Sequence, residues 1–324
     1  MMSRISQAGA LRSFQPSAPL ILLIALVALV VAIGWARPRF VHPDNFENLL
    51  IQTSYIYIFA FAQMLPLLTR GFDLSLGASV SFISVASALA MVETAHLGLP
   101  VSLFIGLLAS IALGAAIGTT NGALTSYLKI NPFIVTLGTW NIIGGVAAVV
   151  SNGFPVKTPI ELNHVLYGAT VFHVPIPVVI SALIFALSWI FLERSVYGRR
   201  MYLVGDNPNA ARTAGINVDR VVFLSYLMCS VLVAVGAVLM TARAGSGEPN
   251  LGGNLTLQSI AAAVVGGVSL RGGGGRFFSP LLGAALITVL SSGLNFFRVE
   301  SYIQNIALGF VIIASVCVDQ VRRR

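Results

Sequence analysis

The stretch PLILLIALVALVVAIGWA, Pro19–Ala36, decides the fold class of this chain. It contains no charged residue, and its length approaches the roughly 20 apolar residues that a helix needs to cross a bilayer. The stretch is followed by RPRF, Arg37–Phe40, and not by the small residues of a signal-peptide cleavage site. We therefore interpret it as a retained first membrane span.

The rest of the chain has the same character. Of its 324 residues, 56% are hydrophobic and 9% are charged, with a mean hydropathy of +0.89, whereas soluble domains carry about 25% charged residues. The apolar runs show no strand-like alternation, so the sequence predicts an all-α, polytopic transmembrane helical bundle. The net charge of +8 does not indicate nucleic acid, because the basic residues lie between apolar runs, where membrane orientation explains them.

About ten apolar segments, some of them short or broken, are the predicted spans. They cover residues 18–36, 47–69, 74–92, 99–127, 133–151, 174–192, 221–242, 256–270, 277–297 and 302–318. Pro66 interrupts the second segment, and glycines thin the fourth. The eighth contains LQSIAAAVVGGVSL, Leu257–Leu270, which is short enough to be a half-helix or a re-entrant segment. Eight or nine full spans is therefore the main competing count.

The basic residues predict the orientation of the bundle. With ten spans and the N-terminus inside, 14 of the 19 basic residues fall on the cytoplasmic side and 5 fall outside, in agreement with the positive-inside rule. We therefore predict cytoplasmic N- and C-termini. The predicted organisation is a tail at 1–17, one transmembrane domain at 18–318 with a long cytoplasmic loop at 193–220, and a basic tail at 319–324.

The long loop carries a short helix signal within YGRRMYLVGDNPNAARTAGINVDR, Tyr197–Arg220. Asn207 is a suitable N-cap, Pro208 suits the first helical position, and Gly215 suits the stop. A helix over 208–214 is only about 10 Å long and is marginal alone in water, so other groups must stabilise it. The residues leave two alternatives open: it packs against neighbouring helix ends, or it docks a partner.

Polar groups within or beside the spans are the candidates for a transport path. Asp73 is interpreted as an N-cap of the third span, with a place along a path as the alternative. Asn121, near small residues of the fourth span, is interpreted as an interhelical bridge, with a cavity-lining role as the alternative. The other polar or stacking side chains within spans, equally suited to path or to helix contacts, are Gln63, Thr136, Thr139, Trp140, Asn141, Gln258, Ser259, Ser291, Ser292 and Asn295.

Other features point away from chemistry on this chain. The glycine run RGGGGR, Arg271–Arg276, lacks the Gly-Lys-Ser/Thr ending of a phosphate-binding loop and is interpreted as a flexible cytoplasmic turn. The two cysteines and four histidines show neither a disulfide pattern nor metal-ligand spacing, so no metal site is predicted.

Four stretches, in order along the chain, resemble the permeases of bacterial ABC-type monosaccharide importers, the ribose, xylose and galactose class. They are RGFDLSLGASVSF at 70–82, GTTNGALTSYLKINPFIVTLGT at 118–139, GDNPNAARTAGINVDR at 205–220 and SIAAAVVGGVSLRGGGGRFFSPLLGAAL at 259–286. The resemblance implies a multi-pass inner-membrane permease subunit that is not an enzyme. It also implies that the loop at 193–220 couples to an ATPase through Gly205, Asn207, Pro208, Asn209, Ala210, Ala211, Arg212, Gly215 and Ile216.

The same resemblance implies the partners and the energy source. An ABC ATPase subunit would use ATP and Mg²⁺, a periplasmic sugar-binding protein would deliver the substrate, and a second permease chain, identical or paralogous, would complete the path within membrane lipid. The chain itself would bind no cofactor. The loops at 154–174 and 243–254, both predicted outside, are the expected docking surfaces for the binding protein.

Two other transport functions remain as alternatives. An ion-coupled secondary transporter often buries ionisable residues in mid-span, whereas every Asp and Glu here falls at or near a predicted span end. An ABC permease for a non-sugar solute, such as a branched-chain amino acid, would share the fold. A structural or receptor-like membrane protein has no evident need for a capped cytoplasmic helix.

Overall fold

The computed structural model describes residues 18–322, and these form a bundle of helices. The predicted tail at 1–17 and the last two arginines lie outside the described residues. The helices are α1 Ala18–Ala36, α2 Pro43–Leu68, α3 Leu76–Glu93, α4 Leu99–Ser126, α5 Pro132–Val150, α6 Ile160–Asn163, α7 Ile176–Trp189, α8 Val196–Asp206, α9 Pro208–Thr213, α10 Val218–Ala244, α11 Leu255–Val265, α12 Ser279–Phe296 and α13 Ser301–Arg322.

Each of the ten predicted spans corresponds to a helix. Within the described part of the chain, eight helices are long and apolar enough to cross a membrane: α1 to α5, α7 with its π-helical extension Ile190–Arg194, α10 and α12. The predicted half-helix is α11, whose 11 residues span only about 16 Å. The tenth predicted segment lies in α13, which continues to Arg322 through the start of the predicted C-terminal tail.

Strands play a minor part in the described bundle. β1 Val156–Lys157 pairs antiparallel with β4 Ser246–Gly247, and β2 Thr170–Val171 pairs antiparallel with β3 Val174–Pro175. Each strand has two residues, so these ladders only tie connecting loops together. Short 3-10 helices at Pro38–Val41 and Ala95–Leu97 and a π-helical turn at His164–Gly168 complete the connections.

The core is built around α2 and α10. The second half of α2 is buried on all sides, and α2 packs against α7, α10, α11 and α12. α10 packs against α2, α3 and, most extensively, α4, where small residues of α4 allow the two backbones to approach closely. α1 lies at the periphery, packs against α12 and leaves most of its surface exposed, as a lipid-facing helix would.

The segment between α10 and α11 is irregular: it contains the two-residue strand β4 and then turns over residues 249–254. The segment runs along α3, where Ser84 Oγ accepts from Glu248 N (3.3 Å) and Ser81 Oγ accepts from Gly252 N (2.9 Å). At the start of α11, Thr256 Oγ1 accepts from Gly77 N at 2.8 Å. Irregular backbone beside a membrane span is tolerated when protein groups satisfy it. The loop at 243–254, an expected docking surface, packs its middle against α3 and leaves Arg243, Asn250 and Asn254 exposed.

Candidate functional site

The predicted short helix in the long loop is present as α9, Pro208–Thr213. Its N-terminus is capped by Asn207, whose Oδ1 accepts from Asn209 N (3.0 Å) and Ala210 N (3.1 Å). Its end is set by Gly215, which has a φ of +79° and therefore reverses the chain in a conformation that favours glycine. The start matches the prediction, and the helix ends one residue earlier than predicted.

α9 is attached to the bundle on one side and open on the other. Ala211 is buried, and Ile216 donates from its backbone N to Ala211 O at 3.0 Å. Arg212 lies 3.7 Å from the carboxylate of Asp219 at the start of α10, and Lys129 also pairs with that carboxylate. The exposed residues of α9 are Asn209, Ala210, Arg212 and Thr213. The helix is thus stabilised from within the chain while presenting a free face.

Arg70 joins α2 to the end of α8, immediately before α9. Its Nε donates to Gly205 O at 2.6 Å, and its Nη2 donates to Asp206 O at 2.5 Å. These are terminal carbonyls of α8, where a cation also interacts favourably with the helix dipole. Arg70 adopts a φ of +67°, so the chain turns sharply here. Sequence analysis missed this role, because the two carbonyls lie more than 130 residues further along the chain.

Gly205 completes a contact between three segments: Leu68–Arg70, Gly205–Asp206 and Gly272–Gly273. We call it the cytoplasmic junction, after the side of the membrane that the sequence predicts for it. A Cβ on Gly205 would stand 1.8 Å from Leu68 O, so no other residue fits without displacement. Gly273 N in turn donates to Leu68 O at 3.0 Å. The glycine run is a turn, as predicted, and two of its glycines pack closely against α2 and α8.

Tyr202 is a neutral residue of the loop at 193–220. It lies in α8 and is partly buried, and burial together with the nearby Glu193 carboxylate raises the pKa of its phenol to about 12. Tyr202 therefore stays neutral near pH 7.

A chain of buried hydrogen bonds starts three residues after Arg70. Asp73 Oδ1 accepts from Ser75 N (2.8 Å) and from Ser75 Oγ (2.5 Å) in the turn that leads into α3. Asn121, in α4, donates from Nδ2 to Ser75 Oγ at 2.9 Å and accepts at Oδ1 from Thr139 Oγ1, in α5, at 2.7 Å. Asp73 and Asn121 are almost completely buried. This polar chain connects the turn before α3 with α4 and α5.

Gln63 holds the same turn from the other side. With its amide oriented to satisfy both groups, Gln63 Oε1 accepts from Asp73 N (3.0 Å) and Nε2 donates to Asp73 O (3.2 Å). The backbone after α2 therefore folds back alongside α2 before α3 begins. Ser75, and not Asp73 as predicted, occupies the N-cap position of α3. The carboxylate of Asp73 accepts from the Ser75 amide, and its side chain is buried.

A cavity of about 360 Å³ lies between α3, α5 and the turns before α11. Trp140 and Asn141 line it from the middle of α5, Ser81 lines it from α3, and Asn250 lines it from the turns. Much of the remaining lining is glycine, so backbone groups are close to the open space. Of the predicted path candidates, the described cavity contains Asn141 and Trp140, and Thr139 adjoins them in sequence.

Other predicted candidates lie away from this cavity. Thr136 is buried and donates to Pro132 O of its own helix at 2.8 Å. Asn295 is exposed at the end of α12, where its Oδ1 accepts from Gln304 Nε2 at 2.7 Å. Among the described residues, the side chains of Thr136 and Asn295 bond to other protein groups and do not line the cavity. The sequence analysis did not include Asn250 and Ser81 among the candidates for a transport path. The sequence signal for Asn250 was a polar residue in a glycine-rich segment beside an apolar span.

Comparisons with known proteins agree with this architecture. A family model described as "Branched-chain amino acid transport system / permease component" matches residues 45–316. The ribose import permease protein RbsC of Escherichia coli (strain K12) is 36% identical over 301 residues, 92% of each chain. No solved structure gives a significant match.

Two further relatives are described as permeases for other sugars. The D-allose transport system permease protein AlsC of Escherichia coli (strain K12) is 30% identical, covering 91% of this chain and 90% of the relative. The galactose/methyl galactoside import permease protein MglC of Haemophilus influenzae is 33% identical, covering 93% of this chain and 92% of the relative. On the family model and on these full-length relatives, the chain belongs to the branched-chain amino acid transport system / permease component family, a family of membrane transport subunits and not of enzymes.

Proposed function

We propose that the chain is the membrane-spanning permease subunit of an ABC importer that moves a monosaccharide across the bacterial inner membrane. Family membership and the eight long apolar helices support a multi-pass transport subunit. The relatives described as ribose, D-allose and galactose permeases support a sugar as substrate. The observation that carries the coupling part of the proposal is α9, a capped helix that is exposed on one face and joined to the bundle on the other.

In this proposal, α9 is the docking element for a separate ATPase subunit that uses ATP and Mg²⁺. The permease sequence has no nucleotide-binding motif, so the energy must enter through another polypeptide. A partner shifts a conformational equilibrium only by its different affinity for the two states. The cytoplasmic junction gives such a partner a rigid connection from α9 to α2, because Arg70 and Gly205 allow little relative movement.

From the junction, the polar chain offers a continuous route to α5. Arg70 and Asp73 are three residues apart, and Ser75, Asn121 and Thr139 then connect α3, α4 and α5. Thr139 directly precedes the two cavity-lining residues of α5. We therefore propose that movement at α9 reaches the cavity through this route. Gln63, Asp73 and Asn121 act as structural members of it and do not contact the solute.

The second permease chain would face the cavity side of α5. Gly138, Gly144 and Gly145 have no atom within 4 Å of an added Cβ, so this side of α5 is open in the single chain. Trp140 and Asn141 on the same helix are exposed. A second copy or a paralogue placed here would enclose the path between two α5 helices, with lipid on the apolar faces such as that of α1.

The periplasmic sugar-binding protein would dock on the loop between α5 and α7. This loop exposes large apolar side chains, with Phe154 73% and Phe172 94% exposed. Exposed apolar groups of this size outside a membrane span are typical of interaction surfaces. The assignment places this loop outside and both termini in the cytoplasm, as the distribution of basic residues predicts.

A neutral solute fits the cavity better than an amino acid. None of the thirteen residues that line the cavity within the described structure is charged. A zwitterionic amino acid would lose its hydration without a charged partner there, whereas the hydroxyl groups of a sugar need only neutral donors and acceptors. The relatives' printed substrates agree, and an ion-coupled mechanism has no support among them.

Reconstitution tests the proposed function directly. The permease is purified together with the ATPase and the binding protein of its importer and placed in proteoliposomes. Uptake of labelled D-ribose, D-galactose and L-leucine is then measured. We expect sugar uptake that requires ATP, Mg²⁺ and the binding protein. Sugar uptake by the permease alone in response to a proton or sodium gradient, or ATP-driven uptake of leucine only, would contradict the proposal.

A further inference from the structure

The two sides of α5 differ in chemistry although both are exposed. At 100° per residue, Trp140, Asn141, Gly144, Gly145 and Ala148 fall within an arc of about 140°. The adjoining side carries the exposed apolar residues Ile142, Val146 and Val149. The apolar side with Ile142, Val146 and Val149 suits contact with lipid. The side with Trp140 and Asn141 places an indole and a carboxamide in the middle of a 19-residue apolar helix, where contact with lipid would be unfavourable.

The groups around the cavity match a neutral polyhydroxylated ligand. Asn141 and Asn250 approach the cavity from two different elements, and each carboxamide both donates and accepts hydrogen bonds, as a sugar hydroxyl does. Asn141 Nδ2 donates to Leu137 O at 3.1 Å, which orients the amide and occupies one of its four hydrogen-bonding positions. Ser81 already accepts from Gly252 N, so it fixes the wall of the cavity.

Trp140 supplies the flat apolar surface that such a ligand needs. Its side chain is 47% exposed although it stands in mid-helix. The negative face of an indole attracts the weakly positive C–H groups on the apolar face of a sugar ring. The cavity volume of about 360 Å³ lies at the lower end of the range of small-molecule sites, about 300 to 1,000 Å³.

We propose that Trp140, Asn141 and Asn250 form a monosaccharide-contacting subsite in the permease itself. The proposal rests on the proposed function and deepens it, because it assigns substrate contact to named residues of this chain. The ring stacks on Trp140, and its hydroxyls bond to the two carboxamides. Discontinuous backbone beside such a site is a recurring feature of membrane transporters.

Uptake kinetics test the subsite with a matched tryptophan control. Trp140→Ala should lower kcat/KM for D-ribose or D-galactose uptake by about ten-fold, and Trp140→Phe, which keeps an aromatic plane, by about three-fold or less. Trp35→Ala removes a 90% exposed indole from α1, away from the cavity, and should not change uptake. Co-purification of the ATPase checks assembly of each variant. Wild-type uptake by an assembled Trp140→Ala complex would overturn the subsite while leaving the proposed function intact.

A fluorescence measurement covers the case in which Trp140→Ala does not assemble. The chain has three tryptophans, so the Trp35→Phe/Trp189→Phe variant keeps Trp140 as its sole indole. We expect a saturable change of its emission when this full-length variant, in lipid nanodiscs without the ATPase and the binding protein, is titrated with D-ribose or D-galactose. The change should be lost when Asn141→Leu is added to the variant, and L-leucine should cause no change. No change with either sugar, or an equal change with leucine, would overturn the proposal.

Discussion

Gly205→Ala is the substitution that perturbs the cytoplasmic junction most directly. An alanine Cβ at this position would stand 1.8 Å from Leu68 O, and real Cβ atoms stay at least 3.0 Å from such an atom. The two must therefore separate by about 1.2 Å. The same Cβ would lie 2.3 Å from Gly273 N, so it overlaps two of the segments that meet at the junction.

The size of the effect follows from overpacking and from the lost contacts. Forcing an additional methyl group into a packed site costs about 1–3 kcal/mol. Separation of the junction also weakens the two hydrogen bonds from Arg70, whereas alanine gains about 0.5–1 kcal/mol over glycine within a helix. A net cost of about 1–3 kcal/mol corresponds to a change of about 5- to 150-fold in a coupled equilibrium. We expect sugar uptake to fall within that range.

The assay compares ATP hydrolysis and uptake in the same proteoliposomes. If the junction transmits movement, Gly205→Ala should keep the ATPase bound and hydrolysing ATP while the number of sugars moved per ATP falls. Gly309→Ala in α13 is the matched control, because an added Cβ there meets no atom within 4 Å. Equal sugar-to-ATP ratios in Gly205→Ala, Gly309→Ala and the parent chain would refute the role given to the junction.

Three further substitutions test the neighbouring contacts. Arg70→Gln removes the charge that holds the last carbonyls of α8 and should lower uptake about ten-fold with the ATPase still bound, since hydrogen bonds to charged groups contribute about 1.5–3 kcal/mol. Arg70→Lys should have an intermediate effect. Full uptake activity of both variants would contradict a role for this contact. Asn207→Ala removes the cap of α9 at a cost of about 1 kcal/mol and should weaken ATPase co-purification, while Asn207→Ser should restore it. Asn121→Leu removes both hydrogen bonds of the bridge, each worth about 1 kcal/mol, and should destabilise the bundle by about 2 kcal/mol, seen as a lower midpoint of thermal unfolding; an unchanged midpoint would show that the bridge is dispensable.

Local features of the sequence were sufficient to predict the apolar spans and α9, but not α8, which lies in the predicted loop at 193–220. The apolar run of α1 and the Asn207–Pro208 and Gly215 signals around α9 are encoded by neighbouring residues, so each was located to within a residue or two. The short eighth segment also indicated the half-helix α11, because its length alone is insufficient to cross a bilayer.

Contacts between distant segments could not be predicted in the same way. Arg70 and Gly205 are 135 residues apart, and nothing in either local sequence indicates the other. The glycine run at 271–276 looked flexible for the same reason, since its close packing depends on α2 and α8. One wall of the cavity is the segment between α10 and α11, whose backbone amides donate to serines of α3. Nothing in the local sequence of either segment indicates these hydrogen bonds.

Crosslinking from α9 tests the central claim, that an ATPase engages this helix. In a chain without its native cysteines, Cys229→Ala/Cys317→Ser, single cysteines replace the exposed Asn209 or Thr213, and Phe154→Cys is the control in the loop predicted to lie outside. In assembled, active complexes, the α9 cysteines should crosslink to the ATPase and lose reactivity towards a soluble maleimide, while the Phe154→Cys control should not crosslink to it. Free labelling of both α9 cysteines in an active complex, without any crosslink to the ATPase, would contradict the account.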